Sequence, residues 1–589
     1  MTSNLAICRK RIVGLMVALS LLLGLVGSLG GDQPARDTPK PEERVDLLLR
    51  GGKVIDGTGK PAFKADVAID DGRIHLVGDA GGLQSDRTID VSGLVIAPGF
   101  IDLHSHADSG LRSSDKRRRA APNLVSQGIT TVVVNQDGGQ QGTIAEQRDA
   151  YRQHGIGPNA ILLVGHNTVR RKVLRSDYRR AASPEEIDEM RGLVRAGMEQ
   201  GAYGLSAGLE YVPGIWSTTD EVVALVEEIV PFGGVCIVHE RASGADPMWF
   251  LPSQHSMVPP NALDTVRELT EIAERTGATV VATHIKARGA KFWGSAPVMI
   301  RMIESARKRG LRLYADQYPY NSTGSDGRLV LVPDWVRDRG RELASNGKQS
   351  EKRDYAAELA TMLRDPSVRA DIERDIAHEI TRRGGPEQIV VMDHPTEALV
   401  GKTLGEVADD CDVSPVQMAL RLQLKGDQHQ AGGARLRGFS LSELDVEAFA
   451  AQPWTATSTD AGITLPGSRS VHARFYGSYP RKIRHYAMNR GVLSVEDAIR
   501  SSTTLPAEIL GLSDRGRVEE GQWADLVVLD LEHIRDKATF AEPHQYSEGV
   551  EYVFVAGTAV VEKGQRTGEL PGSVISPEKD EKPREANGQ

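Results

Sequence analysis

Two histidines separated by a single residue close the run Ala97-Pro98-Gly99-Phe100-Ile101-Asp102-Leu103-His104-Ser105-His106. Read as a buried strand, this run carries both imidazoles at its carboxyl end on one face, because side chains two apart along a strand point the same way. Paired neutral imidazoles in that position suit a divalent metal. A chain with 15 histidines also produces such a pair by chance, so its meaning depends on what other strand ends deliver.

Apolar runs at 99–104, 129–137, 160–166, 202–209, 235–239, 278–284, 311–318 and 454–460 alternate with helical stretches, the rhythm of a parallel βα barrel. Barrel enzymes gather their chemistry at the carboxyl ends of the strands. The second run ends in Asp137, the fifth in His239, the sixth in His284 and the eighth in Asp460. A lone aspartate after a strand is most often a helix cap, and a lone histidine is most often structural. Repetition over five strand ends favours ligands instead. His104, His106, Asp137, His239, His284 and Asp460 make a four-histidine, two-aspartate set for one or two divalent ions, with zinc favoured by the imidazoles. Bound metal would bring its water to a pKa of roughly 7 and polarise a carbonyl, supplying a hydroxide nucleophile at neutral pH. His166, near the end of the third run, is a candidate for the pocket wall.

The elements that must position these residues follow from patterning. β-prone runs at 46–49, 53–55, 65–69 and 74–77, punctuated by Gly51-Gly52, Asp56-Gly57 and Asp71-Gly72, carry hairpin chemistry, and 524–530 with 550–561 repeat those signals near the other end. Residues 45–97 and 513–570 therefore read as two parts of a small β-domain, with barrel strands one to seven in 98–324 and strand eight with the final helices in 451–512. The stretch between strands seven and eight is too long for a βα connection, so 325–450 reads as an inserted subdomain. Residues 31–44 read as a linker and 571–589 as a disordered tail, both rich in proline and charge.

Residues 1–30 join a basic cluster, Arg9-Lys10-Arg11, to an apolar run from Ile12 to Leu29, the form of an export signal. The run is also long enough for an uncleaved membrane anchor. Cys236 and Cys411 are too few for a disulfide framework, and Cys236 reads as a small buried hydrophobe. A net charge of -9 without a basic stripe beyond the N-terminus speaks against nucleic acid as a partner.

Six further segments carry a family resemblance: Gly204-Leu-Ser-Ala-Gly-Leu-Glu-Tyr-Val-Pro-Gly214, Val238-His-Glu-Arg241, Thr283-His-Ile-Lys286, Asp316-Gln-Tyr-Pro-Tyr320, Ala473-Arg-Phe-Tyr-Gly-Ser-Tyr-Pro-Arg481 and Pro543-His-Gln-Tyr546. With the Pro-Gly-Phe-Ile-Asp-Leu-His-Ser-His motif, the chain from Val45 to Pro571 resembles the D-aminoacylase, or N-acyl-D-amino-acid deacylase, family of the amidohydrolase superfamily. The resemblance implies an α/β fold: a metal-dependent (β/α)8 TIM-like barrel, a β-sandwich built from both termini and an insert before the last strand. It implies metal-dependent hydrolysis of the amide of an N-acyl-D-amino acid, a small-molecule substrate, to a carboxylate and a free D-amino acid. It groups His104, His106 and Asp460 at one metal and His239 and His284 at a second, makes Asp460 the catalytic acid/base, and assigns the substrate's carboxylate to Lys286, Tyr318 and Arg474. The departure is at strand two, where Gln136-Asp137-Gly138 replaces the family's Asn-Cys-Gly. Asp137 has two oxygens and can bridge two cations, but it is a hard ligand in place of a soft one, which reopens metal identity and count. Strand four offers Ser206, Gly208 and Glu210 but no lysine for the carboxylated-lysine bridge of cyclic-amide hydrolases. A cyclic amide or N-acyl-peptide remains the alternative substrate. A catalytically silent barrel used as a binding protein is the alternative of another class, and it should have lost ligands that are all present here.

Overall fold

The computed structural model describes residues 44–324, 329–345, 353–468 and 470–577. The basic and apolar N-terminal run, the linker up to residue 43 and residues 578–589 lie outside the described residues. Among the described residues no helix is long and apolar enough to cross a membrane.

Eight short parallel strands form the barrel: Phe100–Asp102, Ile129–Val134, Asn159–Leu162, Gly204–Gly208, Val235–His239, Thr279–Ala282, Leu313–Gln317 and Thr455–Thr457. Neighbours pair in sequence order, with Val164–Gly165 continuing strand three to strand four. Ala461–Gly462 pairs in parallel with Ser105–His106, which joins strand eight to strand one. Alternation sorts the side chains: Ile101, Val133, Ile161, Ile237, Val281 and Ala456 fill one apolar cluster, while Phe100, Val132, Ala160, Cys236 and Val280 join the cluster shared with the surrounding helices. Burial pushes the Cys236 thiol up to about 12, so it stays protonated.

The termini build one nine-stranded sheet, joined where Val95–Pro98 pairs antiparallel with Leu526–Leu529. Leu49, Val67, Val528 and Phe554 share its core. Two sequence expectations need correction. Gly51-Gly52 does not turn a hairpin. Arg44–Val54 is one strand, the register shifts between Leu49 and Gly52, and Gly51 takes a φ of 81°, so the pair makes a bulge. The tail expected to be disordered from Pro571 is ordered through residue 577: Val574–Ile575 pairs with Ala160 and Ile161 of strand three. Strand four meets strand three only through Val164 and Gly165, and the tail fills the edge left open below.

Between strands seven and eight, residues 329–345 and 353–436 close around their own apolar cluster, which includes Val336, Leu359, Ile376, Val407 and Leu436. The helices Asp334–Ser345, Tyr355–Met362, Pro366–Arg382, Leu404–Asp410 and Pro415–Lys425 and an antiparallel pair, Ile389–Asp393 with Arg435–Gly438, make up this insert. The helix Glu443–Ala450 places Phe449 in the barrel's helix layer instead.

Candidate metal centre and active site

At the mouth of the barrel the backbone departs from strand geometry where the chemistry lies. Asn135, Asp137, His284 and Asp460 all take positive φ, at 66°, 56°, 39° and 48°. Non-glycine residues rarely adopt such conformations and concentrate them at functional sites. Strand four shapes the turn at Asp137: Ser206 Oγ donates to Asn135 O at 2.5 Å and accepts from Gly138 N at 3.1 Å. Gly208 lies so close that an added Cβ would sit 2.3 Å from Asp137 O, which requires glycine there.

The six strand-end residues converge. Asp137 Oδ1 lies 3.6 Å from His104 Nε2, 3.4 Å from His239 Nδ1 and 3.7 Å from His284 Nε2, and its Oδ2 lies 3.4 Å from His106 Nε2. Asp460 Oδ1 lies 3.7 Å from His104 Nε2 and 3.2 Å from His106 Nε2. Two ligands each ~2.0–2.1 Å from a tetrahedral ion stand ~3.3–3.4 Å apart, so these separations are those of donors around a cation. Asp137 Oδ1 and His239 Nδ1 are buried without a hydrogen-bond partner among the described residues. A metal would satisfy both. Three overlapping donor groups result: His104, His106 and Asp137; Asp137, His239 and His284; and His104, His284 and Asp460. Asp137, His104 and His284 each belong to two of them, and of these three only Asp137, a carboxylate, has a second oxygen to offer.

A buried polar layer beneath fixes the ligands. Thr283 Oγ1 donates its one proton to Asp316 Oδ2 and therefore accepts from His104 Nδ1, which leaves the lone pair of His104 on Nε2 toward Asp137. Asp316 also accepts from Ser458 Oγ at 2.6 Å and His284 N at 2.9 Å. Asp102 accepts from Thr459 N and Oγ1, just before Asp460. Glu210 Oε2, 3.1 Å from His239 Nε2, turns Nδ1 toward Asp137, while Glu210 Oε1 accepts from Arg288 and Met248 N. Burial opposes charge on His239, yet Asp137 and Glu210 raise it to about 9. Burial likewise opposes charge on His106, which Asp137 and Asp460 hold well above the ordinary imidazole value. These are protons that a cation would displace. Burial lowers His104 well below that value, and burial with the Lys286 ammonium takes His284 to about 4.

Over the centre opens a cavity of about 610 Å³. Lys286, Tyr318 and Arg474 line it: Lys286 Nζ lies 2.7 Å from His284 Nδ1, and the Arg474 guanidinium lies 4.5 Å from the Tyr318 ring centroid. Arg474 Nη1 is 2.9 Å from Asp460 Oδ2, an ion pair without hydrogen-bond alignment. Although burial favours the neutral acid, Arg474 and the facing histidines hold Asp460 far below the usual carboxylate range. His166 is not part of this wall. Its Nε2 meets Glu221 at 2.8 Å in a buried group with Arg170, because the chain enters the helix His166–Leu174 at that point.

Sequence reasoning missed several contributors. Tyr211 packs on His239 with ring centroids 4.2 Å apart and lines the cavity. Glu240, raised to about 7 by burial, sits 3.7 Å from His284. Asp102 and Asp316 were visible as carboxylates inside apolar strands, a costly placement that signals paired partners.

The chain matches the model of the amidohydrolase family over residues 87–228 and 367–561. It is 30% identical to a D-aminoacylase of Alcaligenes xylosoxydans xylosoxydans over 554 residues, covering 90% of this chain and 97% of the relative. An N-acyl-D-glutamate deacylase of the same organism is 28% identical, with 88% and 94% covered. A solved D-aminoacylase, described with a binuclear metal centre showing one-metal activation and second-metal attenuation, superposes with a TM-score of 0.68 at 28% identity, covering 90% of this chain and all of that one. A Bordetella bronchiseptica N-acyl-D-glutamate deacylase, complexed with zinc and a phosphonate mimic of the tetrahedral intermediate, gives 0.68 at 25% identity, with 91% and 100% covered.

Proposed function

This chain belongs to the D-aminoacylase and N-acyl-D-amino-acid deacylase family of the amidohydrolases, and from that premise we propose that it hydrolyses the amide of N-acyl-D-amino acids to a carboxylate and a free D-amino acid. The observation that carries the reading is the convergence of four histidines on Asp137 and Asp460 at the floor of a cavity whose wall holds Arg474.

His104, His106, Asp137, His239, His284 and Asp460 would hold one or two divalent cations, with zinc favoured by the four imidazoles. A cation there supplies Lewis acidity toward a carbonyl oxygen and toward water near neutral pH. Asp460 takes the proton of the attacking water and returns it to the departing nitrogen. Arg474 grips the α-carboxylate with two parallel N–H bonds, assisted by Lys286, while Tyr318 supports its guanidinium face. Because Arg474 stands 2.9 Å from Asp460, a carboxylate held there brings the adjacent amide nitrogen next to the acid/base.

The test is amine release from matched N-acetyl-D- and N-acetyl-L-amino acids. Release from the D series alone supports the deacylase reading, and release from neither moves it to a cyclic amide or acyl-peptide. We also propose export, on the basic cluster and apolar run of residues 1–30. Fractionation with N-terminal sequencing distinguishes a cleaved signal from a retained anchor.

A further inference from the structure

His472 is buried, with none of its surface exposed, and stands outside the ligand set. Its Nδ1 accepts the backbone N–H of Arg474 at 3.0 Å. Its Nε2 lies 3.2 Å from Ser322 O, in the segment that follows Tyr318 and Tyr320. A neutral imidazole carries one donor and one acceptor, so Nε2–H donates to Ser322 while the Nδ1 lone pair receives Arg474.

The ring therefore ties together the two segments that carry the proposed carboxylate clamp, the end of strand seven and the start of the helix Arg474–Arg481. Ala473, at the N-cap of that helix, provides no side-chain cap. His472 satisfies the first N–H in its place. Tyr320 and Phe540 meet the imidazole edge to face at 5.3 Å and 4.9 Å, and Tyr318 does so at 6.1 Å, which leaves the ring little freedom to rotate.

We propose that His472 is a positioning residue: through its two ring nitrogens it sets Arg474 over Tyr318 and so fixes where the substrate's α-carboxylate is held. This rests on the deacylase reading and its clamp at Arg474. His472 touches neither the cation donors nor the reacting atoms, so its effect falls on carboxylate recognition.

The experiment compares His472→Asn with His472→Gln on an N-acetyl-D-amino acid and on its α-carboxamide, with metal content and thermal unfolding measured for each protein. Asparagine keeps an acceptor where Nδ1 stands. Glutamine keeps a polar group near Nε2 but removes that acceptor. The Gln variant should raise KM for the acid about tenfold, the worth of one buried hydrogen bond, and leave kcat and the carboxamide constants near wild type. The Asn variant should regain most of that loss. Equal damage to acid and carboxamide, or a Gln variant that discriminates between them as the wild type does, overturns the positioning role. A folded, metal-replete wild type that hydrolyses neither form overturns the deacylase reading itself.

Discussion

The two sides of the cavity are built differently. The metal side comes from strand ends of one barrel, with Asp137, His284 and Asp460 on strained backbone and the layer beneath locked by Asp102, Thr283 and Asp316. The carboxylate side is assembled from Lys286 beyond strand six, the end of strand seven, the insert strand Arg435–Gly438 and the helix Arg474–Arg481, four segments spread along the chain. The barrel thus fixes the reaction, and longer connections shape what enters it. Substitutions on the metal side should strike turnover or metal retention, whereas those opposite should strike KM.

The largest effect belongs to Asp460→Asn, which removes the proton carrier and should lower kcat by about 10²–10⁴ in steady-state assays. An effect confined to KM would erase the division between the sides. Asp316→Ala deprives Thr283, Ser458 and His284 N of their acceptor and releases His104. Metal affinity by competitive chelator titration should fall about 10–100-fold. Arg474→Met should raise KM for acids about 10–100-fold while most of the metal is retained, because its contact with the centre is to Asp460 alone and the four histidines and Asp137 are untouched.

The smallest effect concerns Lys482, which follows the Arg474 helix. Its Nζ is buried without a hydrogen-bond partner among the described residues, and burial lowers it from 10.5 to about 8. The folded protein holds that proton only below about 8, whereas the unfolded chain holds it up to 10.5, so unfolding takes up a proton between those values. Denaturant stability should therefore gain a rising contribution from pH 8 to 10.5, one that Lys482→Met removes.

The same division governs what was legible in the sequence. His104, His106, Asp137, His239, His284 and Asp460 stand at the ends of apolar runs, and strand periodicity with barrel geometry is enough to gather them. Seven of the eight strands fall within the predicted runs for that reason, and the third begins one residue early, at Asn159. Tyr211, Glu240 and His472 carry no such marker, since their roles depend on loop paths that local patterning does not encode. His166 misled because a strand end and a helix start coincide there, and its ring follows the helix to Glu221. Gly51-Gly52 carried a hairpin signature but forms a bulge, because pairing of both flanks with Phe63–Asp70 outweighs the local turn preference.

On this account Asp137, at the end of strand two, anchors the metal centre. The most direct measurement is elemental analysis of the purified wild type beside Asp137→Ala, both checked for folding by circular dichroism. One or two zinc equivalents in the wild type and their loss from the folded variant are predicted. Equal metal in both proteins, or none in a zinc-replete wild type, would contradict it.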